Sequence, residues 1–484
     1  MMEQLHLTKA DEAFIKVNCE PSIAQELSDH FTFDVPGAKY MPAYRNKMWD
    51  GKIRLFNTMT RTIYAGLYQR IVEFANDRKY ETIDDGSFND YNLSLVEARR
   101  FIESLNLPFQ PRDYQLEAFV DCVRKQRRLV LSPTASGKSL IIYMIAMWYA
   151  SQQHKILVIV PTISLVHQMS SDFKSYGFPD DVHMILGGKE KNSNARIVVS
   201  TWQSIYELPK KWFAQFGVVF GDEAHLYKAK SLVSVMTKLS GCKYRFGLTG
   251  TLDGTQTHQL VLEGLFGSVK QTTTTAQLIK EKHLSEFNIK AIVLNYPDAD
   301  RQAQKGNTYP DEVDFLVAHK NRNNFIKNLA LSLPGNTLLL FKLVEKHGDD
   351  LYDDIVKMSE GKTIYYIHGS VSGEERERIR LQVERSTNNI IVASYGTFST
   401  GVNITNLHNV IFASPSKSRI RTLQSIGRTL RRNDAKQVAT LYDIADNVAW
   451  KKWENHTLKH FRERIKIYNE EQFDYKIYNV DLGG

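Results

Sequence analysis

Residues 132–139 read Ser132, Pro133, Thr134, Ala135, Ser136, Gly137, Lys138 and Ser139, set between the apolar runs 129–131 and 140–145. A buried strand that feeds a small-residue loop into a helix aims backbone N–H groups and a helix N-terminus at one anion. Lys138 is placed to reach the β and γ phosphates of a nucleotide, and the Ser139 hydroxyl to hold Mg²⁺. Ser132 stands where the usual loop has glycine. A second apolar run, 217–220, leads to Asp222 and Glu223. Two carboxylates at a strand end divide the work of phosphoryl transfer: Asp222 holds Mg²⁺ through water, and Glu223 positions and activates the attacking water. Far downstream, Arg428 and Arg431 lie three apart and share one face if helical. A guanidinium supplied by another domain stabilises the transferring phosphoryl only when the domains close. Arg432 reads instead as a basic residue at the surface or on nucleic acid.

The elements that must hold these residues are legible in outline. A chain of 484 residues exceeds one ordinary core and suggests about three domains. From Tyr114 onward helices alternate with short apolar strands at 155–160, 197–200 and 218–220, the signal of a parallel sheet covered by helices. A second series at 337–341, 363–367, 390–393, 410–413 and 438–442 repeats it. The class is therefore α/β, two sheets with a cleft between them, preceded by a small α+β region. Within that region a strand is predicted at 13–17 and helices at 22–30, 67–78 and 95–105. Pro108 and Pro111 mark a linker. The segment 298–310 lacks apolar periodicity and predicts a loop. The basic and aromatic stretch 450–468 predicts a helix that packs on the second sheet or touches DNA.

Composition narrows the partners. Net charge is +8 with a pI near 9.0, which suits a polyanion if the cations cluster. Within fifteen positions near the N-terminus stand Tyr40, Tyr44, Arg45, Lys47, Trp49, Lys52 and Arg54, cations for phosphates and rings able to stack on an unpaired base. Cys19, Cys122 and Cys242 are too scattered for a disulfide framework or a zinc site. There is no signal-peptide segment and no run near the ~20 apolar residues that span a bilayer, so an intracellular protein that avoids membranes is expected.

The motifs together carry a resemblance. Gln115 within Arg112-Asp113-Tyr114-Gln115, the loop 132–139, Pro161-Thr162 with Gln168, Ser200-Thr201-Trp202-Gln203, Asp222-Glu223-Ala224-His225, Thr249-Gly250-Thr251, Ser399 to Asn403, and Gln424 to Arg431 fall in the order seen in superfamily 2 helicases. The resemblance covers about 106–445 and implies two RecA-like domains. Ahead of it, the segment from Tyr44 to Leu55 is similar to the N-terminal domain of UvsW-type recombination and branch-migration helicases of tailed phages. The expected division is 1–105 for substrate recognition, 106–290 and 291–445 for the motor domains, and 446–484 as a helical extension.

That resemblance implies ATP and Mg²⁺ as cofactors and assigns further residues. Arg112 and Gln115 would read adenine, and Gly401 and Asn403 would touch ribose and phosphates, although many relatives carry Asp in the place of Asn403. His225, Thr249, Gly250, Thr251 and Gln424 would couple nucleotide state to closure. Pro161, Thr162, Gln168, Ser200, Thr201 and Gln203, with His368, Gly369, Ser394 and Thr400 of the second domain, would hold the nucleic-acid backbone without reading bases. The implied activity is ATP-driven, 3′ to 5′ unwinding and branch migration of forks, D-loops and four-way junctions by a monomeric motor, in the host cytoplasm if phage-encoded. A double-strand DNA translocase, an RNA helicase and a passive nucleic-acid binding or annealing protein are the other readings the same residues admit.

Overall fold

The computed structural model describes residues 3–187, 190–227, 229–401, 404, 406–414, 418, 426–427 and 438–483, with the backbone alone at 257 and 399–401. Asn403, Gln424, Arg428 and Arg431 thus lie outside the described residues, as does the side chain of Thr400. The chain forms two compact units, Met1–Ser132 with Gly137–Thr272, and Pro133–Ser136 with Thr273–Gly484.

The first unit begins with β1 (Gln4–Lys9), β2 (Phe14–Asn18), β3 (Thr32–Asp34), β4 (Lys52–Arg54), β5 (Thr62–Tyr64) and β6 (Glu81–Asp84). β5-β2-β1-β6 make one sheet, antiparallel except for β1 with β6, while β3 and β4 pair as a separate antiparallel ribbon. Along β1, Leu5 and Leu7 are buried while Gln4 and His6 are exposed, the period-2 pattern of a sheet covered on one face. The cover is the helices Pro21–His30 and Tyr68–Arg78, which bury Ile23, Leu27, Ile71 and Phe74.

The same unit continues with β7 (Arg127–Leu131), β8 (Ile156–Val160), β9 (His183–Ile185), β10 (Ile197–Thr201), β11 (Val218–Asp222), β12 (Tyr244–Thr249) and β13 (Val269–Gln271). They form an all-parallel sheet in the order β13-β7-β12-β11-β8-β10-β9. β8 and β10 are buried at every position, as expected of strands covered on both faces. β7, β12 and β11 lie side by side in a register that pairs Leu131 with Thr249 and Leu248 with Asp222. Three motifs far apart in sequence therefore leave the sheet from one edge, where α/β sheets bind ligands.

The second unit carries β14 (Glu286–Asn295), β15 (Thr337–Phe341), β16 (Thr363–Ile367), β17 (Asn389–Ser394), β18 (Asn409–Phe412), β19 (Val438–Asn447) and β20 (Tyr475–Asp481). They too form a parallel sheet, ordered β16-β17-β15-β18-β19-β14-β20. Its core includes Leu294, Ile326, Leu339, Phe341, Ile390 and Ile411. Two buried ion pairs hold helices to it: Arg322 donates to both Asp446 oxygens at 2.8 and 3.1 Å, and Arg464 to Asp443 at 2.7 Å. Each arginine meets its carboxylate in a fork geometry, which lowers the cost of such burial, and Arg322 Nη1 is left buried without a hydrogen-bond partner.

Three expectations change. The boundary drawn at 290 falls inside β14, which belongs wholly to the second sheet. The segment 298–310 contains the helix Asp298–Gln304; Pro297 precedes it and Asp298 and Asp300 sit in its first turn, so the helix is favoured by its N-terminal charges, although its sequence lacks an apolar stripe. The extension beyond 446 is not purely helical. The helix His456–Glu470 packs through Phe461, Arg464, Ile467 and Tyr468, and β20 then joins the sheet beside β14. No helix among the described residues is long and apolar enough to cross a membrane.

Candidate active site

The loop after β7 opens with Ser132, which is fully buried. Its N–H donates to the Thr249 carbonyl at 2.9 Å, and its hydroxyl accepts from Thr272 Oγ1 at 3.0 Å. A hydroxyl partner thus explains how serine fits where glycine is usual. Gly137 closes the loop at φ +79, in the left-handed region, and a Cβ there would stand 2.5 Å from Gln115 Nε2, so both conformation and space call for glycine. The helix Lys138–Ser151 starts at once, with Lys138 Nζ 3.3 Å from the Ser132 carbonyl and Ser139 Oγ 2.8 Å from the Tyr176 hydroxyl. Tyr176 carries no sequence signal, because it lies 37 residues from Ser139 and follows a different helix.

Gln115 is buried against Gly137, and its Oε1 accepts from the Arg112 N–H at 2.9 Å, capping the helix Asp113–Lys125. The Arg112 guanidinium donates to the Tyr114 hydroxyl at 2.9 Å. Gln115 thus borders the loop, and Arg112 and Gln115 together cap the helix.

Asp222 ends β11, and the chain turns sharply through Glu223 at φ +50. The Glu223 N–H donates to Asp222 Oδ1 at 2.9 Å. His225 Nδ1 lies 2.9 Å from Thr249 Oγ1, whose own hydroxyl donates to the Thr251 carbonyl at 3.1 Å. With that hydroxyl hydrogen committed to Thr251, Nδ1–H is the donor in the first contact, a tautomer assigned from the network. One N–H then has two takers, because Glu223 Oε2 lies 3.3 Å from the same nitrogen. The shorter Thr249 contact takes it, and Glu223 Oε2 is left buried without a hydrogen-bond partner. Burial first, and the Glu223 charge second, push the Asp222 carboxyl up to about 7, with Lys138 pulling the other way.

Other expected contacts divide by exposure. Pro161 and Thr162 leave β8, where Thr162 Oγ1 caps the helix Ile163–Ser175 and Gln168 is exposed on its surface. Ser200 and Thr201 are buried, with hydroxyls engaged by the Thr201 carbonyl and by Ser204, so they shape the turn after β10 and do not offer side chains to a strand; Gln203 is exposed. In the second unit, His368 and Gly369 follow β16, and Ser394 ends the neighbouring strand β17. His368 Nδ1 pairs with Ser370 Oγ at 2.8 Å, whereas Ser394 is buried and bonded to Thr397 Oγ1 at 2.9 Å, which suits holding the chain after β17 more than touching nucleic acid.

The N-terminal cations sit around the β3–β4 ribbon. Arg45 and Lys47 are exposed beside an open recess of ≈ 630 Å³ that Lys39, Tyr44, Met48 and Trp49 also line. Two members of the expected set are otherwise occupied. The Trp49 indole N–H donates to the Lys52 carbonyl at 2.8 Å, and Arg54 pairs with Asp50 at 2.5 Å. The hydrogen bond from Arg54 holds the Asp50 carboxyl down to about 2. Tyr40, one of the rings of that cluster, is 68% exposed, and Met48, which no sequence pattern announces because an isolated Met is usually core, is 75% exposed.

The N-terminal sheet and ribbon decide the family. Residues 4–85 match the family described as DNA helicase UvsW, N-terminal; 108–254 match the res subunit of type III restriction enzymes, and 321–433 the helicase conserved C-terminal domain. The chain is 35% identical over 498 residues to the ATP-dependent DNA helicase uvsW of Enterobacteria phage T4, covering 98% of each. The chain belongs to the UvsW family. It is a superfamily 2 ATP-dependent DNA helicase. The crystal structure of T4 UvsW superposes with a TM-score of 0.52 at 33% identity and full coverage of both chains. The DNA 3'-5' translocase XPB2 of Sulfurisphaera tokodaii is 22% identical over 69% of this chain and 82% of its own. In this UvsW-family helicase, β7, β12 and β11 bring Lys138, Thr249 and Asp222 to one edge of the first sheet.

Proposed function

We propose that this UvsW-family helicase uses ATP and Mg²⁺ to unwind and branch-migrate forked, D-loop and four-way-junction DNA. The observation that carries the proposal is the convergence of Lys138, Ser139, Asp222 and Glu223, whose buried Oε2 has no hydrogen-bond partner, at the ends of β7 and β11, the strands that flank β12. Lys138 binds the β and γ phosphates, and Glu223 orients and deprotonates the attacking water. The donors suit Mg²⁺: a hydroxyl and a carboxylate are hard oxygens, and no group of three His, Cys, Asp or Glu among the described residues could replace water and phosphate in completing the shell. Ser139 and Asp222 would hold the ion, which when bound neutralises charge on the phosphate oxygens. His225, bonded to Thr249 and 3.3 Å from Glu223 Oε2, lies between the carboxylate and the segment after β12 and so relays the state of the site.

Arg428 and Arg431 stabilise the transition state, Gln424 couples closure to it, and Gly401 and Asn403 meet ribose and phosphates, while Arg112 and Gln115 read adenine. Pro161, Thr162, Gln168 and Gln203 with His368, Gly369 and Thr400 grip the DNA backbone, and closing and reopening shift the two grips to give 3′ to 5′ steps of a monomer. Arg45 and Lys47 seat the branch point. The N-terminal match to a DNA helicase family supports DNA over RNA, and the place of action is the host cytoplasm if the chain is phage-encoded.

ATPase and strand movement measured on a mobile four-way junction, a fork, a plain duplex and an RNA duplex test this reading. Junction and fork are expected to be processed and the RNA duplex left intact. Lys138→Ala should abolish movement, and Glu223→Gln should bind ATP yet lose at least ~100-fold in turnover, the range of a lost general base. Near-normal steady-state turnover in Glu223→Gln would falsify its role.

A further inference from the structure

The N-terminal domain packs against the helix Gln256–Phe266 of the first motor domain, and that helix begins five residues after Thr251. Near its end Glu263, 1% exposed, accepts both prongs of the Arg70 guanidinium at 2.9 and 3.1 Å and a third bond from Gln259 at 2.7 Å. A fork of this kind fixes direction as well as distance. Beside it the two domains touch backbone to backbone: a Cβ on Gly66 would stand 2.0 Å from the Glu263 carbonyl oxygen. A second seam joins Glu12 to Arg127 at the start of β7, at 2.9 Å, and the Glu12 N–H to the Ser240 carbonyl at 2.9 Å. The other end of the contact reaches the nucleotide site. The Phe266 ring lies on Gly221 and Gly247, at the spots where side chains would collide with it, and so rests directly under the strand ends that carry Asp222 and Thr249. Tyr227, two residues beyond His225, packs on the same ring at 5.0 Å.

We infer that the helix Gln256–Phe266 couples the nucleotide site to the N-terminal domain, with Arg70 and Glu263 as the positioning residues that make the ribbon carrying Arg45 and Lys47 move with the first motor sheet. The inference rests on the reading that the N-terminal domain seats branched DNA. A rigid seat converts displacement of the sheet edge into displacement of the junction, whereas a loose one lets the motor hydrolyse ATP while the branch point stays put.

The test uses full-length protein. Arg70→Gln with Glu263→Gln removes both charges at nearly constant volume and leaves no lone buried carboxylate, and Arg70→Lys keeps the charge without the fork. ATPase on single-stranded DNA should stay within about twofold of the parent, while ATP consumed per junction migrated rises about tenfold in the double variant and to an intermediate level in Arg70→Lys. Hydrogen exchange supplies a readout that needs no junction: protection of 62–67 should change on binding a non-hydrolysed ATP analogue in the parent and stop changing in the double variant. ATPase and migration falling in proportion, or exchange at 62–67 that ignores nucleotide in the parent, overturns the coupling. A parent enzyme that treats junction and plain duplex alike, yet shows the exchange response, refutes the branched-substrate reading and leaves the coupling standing.

Discussion

Asp222 shows how a single residue reports the state of the site. Its carboxyl is raised by burial first and by Glu223 second, so the native protein retains a proton that the unfolded chain releases near 4. A folded value above the unfolded one favours the native state most below the unfolded value, and the advantage fades as pH climbs towards 7. Above about 7 the ionised, nucleotide-free site carries a destabilising charge. Asp222→Asn should therefore raise the melting temperature at pH 8, by the equivalent of roughly 1–3 kcal/mol, and make little difference at pH 4, while removing ATPase. An equal gain at both pH values would discard the assigned cause. Lys138, Ser139 and Asp222 were legible because loop spacing and strand ends impose their chemistry locally. The contact of Tyr176 with Ser139, and the burial of Ser200 and Thr201, depend on which strands are neighbours, and no local pattern encodes that.

At the scale of elements, the β3–β4 ribbon separates cations that look alike in sequence. Arg45 and Lys47 face solvent, while Arg54 is paired with Asp50 four residues earlier. Replacing Arg45 and Lys47 with Ala should weaken junction binding and lower the slope of log affinity against log salt by about 1.8, close to 0.9 for each phosphate that is no longer neutralised. Arg54→Ala should leave that slope nearly unchanged, because its charge is already matched. Equal slopes for the two variants, from binding measured at several salt concentrations, would remove the distinction. The charge cluster itself was readable from composition, but its internal pairing was not. The helix Asp298–Gln304 was hidden for a related reason: it is favoured by terminal charges, and periodicity is silent about those.

For the whole molecule, the alternation of helices and strands announced two parallel sheets, yet strand order was hidden, and so was the return of the chain through β20. That strand pairs with β14 from Ile289 to Asn295, and Asn295 Nδ2 donates to Asp481 at 3.0 Å. Truncation after Gln472 should strip this ladder and cost the second unit several kcal/mol, on the order of 3 for a handful of net hydrogen bonds. Hydrogen exchange in β14 should accelerate while β7 and β11 keep their protection. Unchanged protection in β14 would mean that β20 only decorates the edge.

The position of β14 between β19 and β20 also has a meaning for synthesis. Glu286 pairs with Val438, so roughly 150 residues separate the strand from its first partner, and at bacterial rates of about 5–20 residues per second β14 emerges from the ribosome on the order of ten seconds before anything can pair with it. During that wait a ten-residue strand with a continuous apolar run, 291–294, is open to neighbouring nascent chains. Glu286 and Lys290, charged and pointing to solvent in the finished sheet, act as gatekeepers over the interval.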